Sequence, residues 1–149
     1  MARIRITKEF RFEMAHALLG YDGMCSNIHG HSYQLSVTLI GTPIENNTDP
    51  KNGMVMDFGD LKNIVKTEII DRFDHAMVLN KATPDIEIIT SLPLFEKVLF
   101  LPYQPTCENM LPDMAERISK QLKGEIKLHS LRLRETNNSF AEWFAEDNS

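Results

Sequence analysis

A chain of 149 residues with 42% apolar side chains is long enough to bury one core and suits a single domain. A quarter of its residues are charged, no low-complexity tract breaks the pattern, and the net charge of −5 argues against binding nucleic acid through the overall field. An anionic small molecule, which needs only a local group of Lys and Arg, stays open.

The first ten residues are charged at nearly every second position and lack the apolar stretch of a signal peptide. No run of about 18 apolar residues is present to span a membrane. A soluble cytoplasmic protein is expected, with Cys25 and Cys107 as free thiols. Ile4, Ile6, Phe10, Phe12 and Met14 fall on even positions, the period of a strand with one buried face. A polar loop over 20–27 follows. Tyr33, Leu35, Val37 and Leu39 then alternate into a second strand that stops near Gly41-Thr42-Pro43, predicting an antiparallel hairpin with a long loop.

Helix period begins after Gly53, with Phe58, Leu61, Ile64, Val65, Ile69 and Phe73 at spacings of three and four. Asp57 stands where an N-cap belongs and Asp60 suits the first turn. Residues 81–104 contain Pro84, Asp85, Ser91, Pro93 and Pro102, and read as an irregular excursion with one short strand at 98–101. A second helix carries Leu111, Met114, Ile118 and Leu122 on one face and runs to about Lys123. Two starts fit it. A Thr106 cap leaves Pro112 beyond the first turn and costs a hydrogen bond, whereas an Asn109 cap places Pro112 where proline is tolerated. Ile126 and Leu128 then share one parity and Leu131 and Leu133 the other, which predicts a bulge or twist. After a turn at Asn137-Asn138, Phe140, Trp143 and Phe144 form a final strand. The order ββααββ predicts one α+β domain over 1–149, with helices on one face of an antiparallel sheet.

The strongest chemical signal is Cys25-Ser-Asn-Ile-His29-Gly30-His31, with His16 upstream. Residues i and i+2 of a strand face one side, so His29 and His31 can grip one ion, and Gly30 would let the backbone pass close to it. His16 supplies a third nitrogen across the hairpin. Three imidazoles without a fourth protein ligand form the open arrangement of catalytic zinc. A bare His-x-His pair arises by chance more often than not, but a cysteine four residues ahead on a polar loop shifts the balance. Two roles for Cys25 fit: a thiolate base or nucleophile beside the dication, or the fourth ligand of a closed structural site.

Asp74-His75 closes the first helix, either as a turn residue and a histidine favoured by the helix dipole, or as an acid–base relay in which Asp74 orients His75. Glu135 lies on the apolar parity. It is either emerging into solvent or facing a cleft, where it could accept two parallel N–H bonds from a guanidine-like edge such as a pterin ring. Glu108 reads as a first-turn helix acid and Cys107 as packing.

Taken together, the residues resemble the 6-pyruvoyl-tetrahydropterin synthase superfamily. The run Phe10-Arg-Phe-Glu-Met-Ala-His16 is similar to its first strand, and Cys25-x-x-x-His29-Gly30-His31-Ser-Tyr to its catalytic cysteine and paired ligands. Gly53-Met-Val-Met-Asp57-Phe58 with Leu61-Lys62, Asp74-His75, Pro105-Thr106-Cys107-Glu108-Asn109 and Arg134-Glu135-Thr136 complete the resemblance in order, over nearly the whole chain. It implies a tunnelling fold with a four-stranded antiparallel sheet and two helices. Three such sheets would close a barrel and two barrels stack into a homohexamer, with active sites between subunits where Cys25 and His75 act from different chains.

The resemblance further implies Zn2+ on His16, His29 and His31, catalysis by Cys25, Asp74, His75 and Glu135, and substrate contacts from Glu135, Thr106 and Glu108. The three-residue gap between Cys25 and His29 resembles the 6-carboxy-tetrahydropterin synthase branch, which implies conversion of 7,8-dihydroneopterin triphosphate to 6-carboxy-5,6,7,8-tetrahydropterin, acetaldehyde and triphosphate in queuosine synthesis. Relatives in the folate branch carry Glu where Cys25 stands, so the chain departs from them. It also departs from the compact bacterial pattern between Leu79 and Pro105. A pyruvoyl-forming synthase is the nearer alternative, and a non-catalytic zinc-stabilised binding module the farther one.

Overall fold

Alternation at the N-terminus is realised as two long antiparallel strands, β1 (Ile4–His16) and β2 (His29–Gly41), in a computed structural model that describes residues 1–149. Helix α1 (Phe58–Val65) continues through a π-helical turn, Lys66–Ile70, into Asp71–Phe73. Then come β3 (Ala76–Asn80), a short α2 (Ile86–Ser91), β4 (Val98–Leu101), α3 (Cys107–Ser119), β5 (Lys127–Thr136) and β6 (Ser139–Phe144). No helix is long and apolar enough to cross a membrane.

Register decides which side chains meet. Phe10 pairs with Leu35, Phe12 with Tyr33 and His16 with His29, so one face of the hairpin collects every apolar residue of both repeats. Phe12 and Tyr33 stack with centroids 5.1 Å apart. The parity switch in β5 is a bulge: Thr38 pairs with Ser130 and Leu39 with Leu128, leaving His129 as the extra residue. Leu128, Leu131 and Leu133 thereby all face the core. Leu61, Val65, Ile69 and Phe73 from the first helix, with Met110, Leu111, Met114 and Ile118 from α3, cover this face. The opposite face is polar, with a shallow cavity among Thr7, Glu9, Ser36, Thr38, Arg132 and Glu142. Leu35 is fully buried at the centre, so Leu35→Ala should cost about 2–5 kcal/mol in denaturant unfolding.

The sheet corrects the expected count and pairing. It has six strands in the order β4-β3-β1-β2-β5-β6, and β3 pairs in parallel with both β1 and β4. Ala76, Met77, Val78 and Leu79 are all buried, so no in-out alternation marks them as a strand in the sequence. Within the excursion the strand at 98–101 is present, and the remainder holds α2 and a 3-10 turn at Pro93–Phe95. Asp57 caps α1 by accepting from the Gly59 N–H at 2.6 Å. The ambiguity at α3 resolves in favour of Thr106, whose hydroxyl accepts from Asn109 N–H at 3.2 Å. Pro112 therefore sits inside the helix, which forgoes one backbone bond. The helix ends at Ser119, four residues short of the expected Lys123.

Candidate active site

The inward parity of β1, β2 and β5 ends in polar residues: His16 after Met14, His31 and His29 before Tyr33, and Glu135 after Leu133. The same registers that assemble the core thus bring these four together, under the chain that enters α3. Glu135 owes part of its aim to a second irregularity. Arg134 pairs with Phe140 and Thr136 with Ser139, so the β5–β6 ladder shifts at Glu135 itself.

His16 is 2% exposed, and its Nδ1–H donates to the Pro105 carbonyl at 2.7 Å. His29 Nδ1–H donates to the Asn27 carbonyl at 2.7 Å. A carbonyl can only accept, so both rings carry a proton on Nδ1 and turn Nε2 inward, where the neutral imidazole offers a lone pair. Those two Nε2 atoms are 3.1 Å apart. Glu135 Oε1 lies 3.3 Å from His16 Nε2 and 3.0 Å from His31 Nε2. His31 Nε2 is buried, and the carboxylate does not meet it with hydrogen-bond geometry.

All four ligand atoms lie within 4.8 Å of one another. Burial pushes His31 below its ordinary value, against the pull of Glu135 and together with His16 and His29, which favours the neutral imidazole. The side chain of His16 holds the Glu135 carboxyl below the usual carboxylate range, against the opposing effect of burial and aided by His31 and His29. Lone pairs and a carboxylate turned on one point repel unless a cation lies among them. The set fits zinc: ligands at about 2.0–2.1 Å in a tetrahedron stand about 3.3 Å from each other. Carbonyl partners on Nδ1 are the usual means of fixing such ligands.

Glu135 also opens onto a cavity of about 380 Å³ lined by Cys107, Glu108, Ser139, Phe140 and Ala141. Two carboxylates offer acceptors and Phe140 a ring face. Thr106 is adjacent in sequence, but its hydroxyl is engaged in capping. Cys107 is part of the core. Burial first, then Glu135 and Glu108, push its thiol up to about 12, which agrees with a packing role.

The remaining expected residues lie elsewhere. Cys25 is exposed on a 3-10 turn, Met24–Ser26, and its sulfur is not among the converging ligand atoms. His75 borders a different cavity from the one at Glu135, lined also by Glu13, Gly30, His31, Ser32 and Phe95. Gly30 faces this cavity and not the histidine cluster. A Cβ there would meet Met14 O at an ordinary 3.5 Å.

Asp74 Oδ1 accepts from the Glu13 N–H at 2.9 Å and faces His75 Nδ1 at 3.0 Å. His75 has φ +60° and its side chain is 77% exposed. A left-handed conformation is uncommon for a residue other than glycine and turns the ring outward. The Glu13 N–H, against a smaller opposing effect of burial and aided by His75, holds Asp74 below the usual range. The stability this adds is present above the unfolded carboxyl value, about pH 4, and is lost as pH falls through the lower folded value. Asp74→Asn should therefore flatten the acid limb of a urea-midpoint-against-pH curve.

Sequence reasoning missed Gln104. Its Nε2 donates to Leu19 O at 2.7 Å, while its Oε1 accepts from Leu19 N–H at 3.1 Å and from Asn80 Nδ2 at 3.2 Å. It ties the loop that carries Cys25 to the segment whose Pro105 carbonyl holds His16. Lys97, also missed, donates to the Asp71 and Asp74 carbonyls at 2.9 and 2.5 Å. Neither residue has a sequence signal beyond its neighbours, since both act on backbone atoms distant in the chain.

Comparison with known proteins follows the same outline. The family described as 6-pyruvoyl tetrahydropterin synthase matches residues 5–146. A Haemophilus influenzae protein named 6-carboxy-5,6,7,8-tetrahydropterin synthase is 40% identical over 143 residues, covering 93% of this chain and 97% of its own length. An uncharacterised protein from Wolinella succinogenes superposes with a TM-score of 0.81 at 20% identity, over 97% of this chain and 99% of the other. The 6-pyruvoyl tetrahydropterin synthase of Plasmodium vivax gives 0.74 at 16% identity, over 96% and 98%. At these identities the two structures establish the shared α+β fold.

Proposed function

The chain belongs to the 6-pyruvoyl tetrahydropterin synthase family, and from that premise we propose that it is a zinc-dependent lyase acting in the cytoplasm. It converts 7,8-dihydroneopterin triphosphate to 6-carboxy-5,6,7,8-tetrahydropterin, acetaldehyde and triphosphate, a step of queuosine synthesis. The observation that carries this reading is the convergence of His16, His29 and His31 beside a cavity bearing Glu135 and Glu108. The named activity of the 40%-identical relative and the gap between Cys25 and His29 support the carboxy-forming branch.

Zinc held by His16, His29 and His31 would supply Lewis acidity that makes the side-chain hydroxyls of a bound pterin more acidic. Glu135 takes the N–H groups of the pterin's guanidine-like edge through its two oxygens, with Glu108 and Thr106 at the same rim. Cys25 Sγ, as thiolate, removes a proton from the carbon-bound side chain. His75 moves protons at Nε2, because its Nδ1 is held toward Asp74 Oδ1 at 3.0 Å.

Incubating the zinc-loaded protein with 7,8-dihydroneopterin triphosphate tests the reaction. Acetaldehyde and the 6-carboxy product are expected. Triphosphate release with a pyruvoyl product would assign the chain to the other branch, and no turnover would sink the enzymatic reading.

Cys25 on its exposed turn and the exposed ring of His75 support a homohexamer in which neighbouring subunits complete each site. Mixing inactive Cys25→Ala and His75→Ala subunits after dissociation should then restore part of the activity. Hybrids as inactive as their parents would place both residues within one chain's site.

A further inference from the structure

Resting on the reading of His75 as a proton carrier, we propose that Lys97, from the irregular excursion after β3, is a positioning residue for the reaction. Its ammonium group closes the end of the first helix and so holds His75 in the backbone conformation that presents the ring. His75 has φ +60°, which a residue with a Cβ keeps only when its surroundings impose it. A helix that ends on a left-handed residue ordinarily closes on itself: the N–H of that residue returns to the carbonyl four positions back, which here would be Asp71. His75 departs from this pattern. Its N–H donates to the Glu13 carbonyl at 2.6 Å, while the Asp74 N–H returns to Ile70 O at 2.8 Å. A side chain supplies the donor that the backbone withholds. Lys97 Nζ lies 2.9 Å from Asp71 O and 2.5 Å from Asp74 O.

Lys97 brackets His75 along the chain. Its ammonium binds Asp71 and Asp74 ahead of the histidine, and its own carbonyl accepts from the Met77 N–H at 2.9 Å beyond it, where β3 begins to pair with β4. From β1, Glu13 receives the His75 N–H and donates its own N–H to Asp74 Oδ1. The histidine is thus clamped between a strand and the excursion. A cation at the end of a helix also suits the dipole there. The ring itself is largely exposed, so packing does little to aim it, and the backbone with Asp74 Oδ1 must do so. Without the ammonium, the Asp71 and Asp74 carbonyls are free to turn toward water. The Asp74–His75 link then loses one side of its clamp, and the left-handed conformation can relax. Lys97 and His75 line the same cavity, so the clamp stands beside the space into which the ring would deliver a proton.

The test compares Lys97→Met, which keeps the length of the side chain and loses its donors, with Lys97→Arg, which keeps them, in the zinc-loaded protein. Lys97→Met should lower kcat on 7,8-dihydroneopterin triphosphate by about 10- to 100-fold, the scale for a misplaced reacting group. KM and zinc content should not move, and Lys97→Arg should recover most of the lost rate. In a His75→Ala background the same change should lower turnover no further, a pattern that a merely structural role would not give. Hydrogen exchange, read by mass spectrometry on peptides spanning 71–78, should show the His75 amide opening about tenfold faster in Lys97→Met. A wild-type kcat in Lys97→Met overturns the proposal, and so does an equal loss of turnover with and without the His75 ring. Unaltered exchange at the His75 amide overturns the clamp alone, whereas full activity of His75→Ala sinks the proton-carrier reading and with it the role in turnover.

Discussion

His31→Ala is expected to release the metal and lower turnover by about 10³-fold or more, the scale of several kcal/mol of Lewis-acid stabilisation. His31 Nε2 is buried without a hydrogen-bond partner, and its ring meets His16 and His29 edge to face at 5.3 and 4.9 Å between centroids. Nothing in the protein replaces what an ion would give that nitrogen. Metal content after gel filtration, measured with turnover on the same sample, checks the expectation. Full zinc retention would mean that the remaining ligands suffice, and the three-imidazole assignment would fall.

Cys25→Ala should behave in the opposite way, retaining zinc while turnover drops by about 10²–10⁴-fold, the range for loss of a positioned proton acceptor. The thiol is exposed and lies outside the ligand cluster, so its removal leaves packing and coordination untouched. The unfolding midpoint should match the wild type. A variant that lost its metal would make the sulfur a ligand after all and restore the sealed structural site as the better reading.

Much of this site was legible in the chain itself because its residues continue a pattern. Phe10, Phe12 and Met14 lead by the same alternation to His16, and Leu35 and Tyr33 lead back to His31 and His29. A reader who finds the strands therefore finds the converging histidines. The shift between Leu128 and Leu131 announced the bulge at His129 for the same reason.

Other features depend on what surrounds a segment. The β3 strand is covered on both sides, so Ala76 to Leu79 show no period. The left-handed His75 has no signature, because the strain is imposed by the Glu13 and Asp74 contacts. Glu135 was readable as a substrate contact, but its place beside His16 and His31 depends on the β5–β6 register, which two separate strands fix together.

The pairing of His16 with His29 has one more consequence. If the first hairpin zipped one step out of place, His16 would face the helices while His29 and His31 pointed to the polar side, or the reverse. Such a misfolded chain could not chelate with all three rings. A bound ion would therefore proofread the hairpin, rewarding only the alignment that also buries Phe12 against Tyr33.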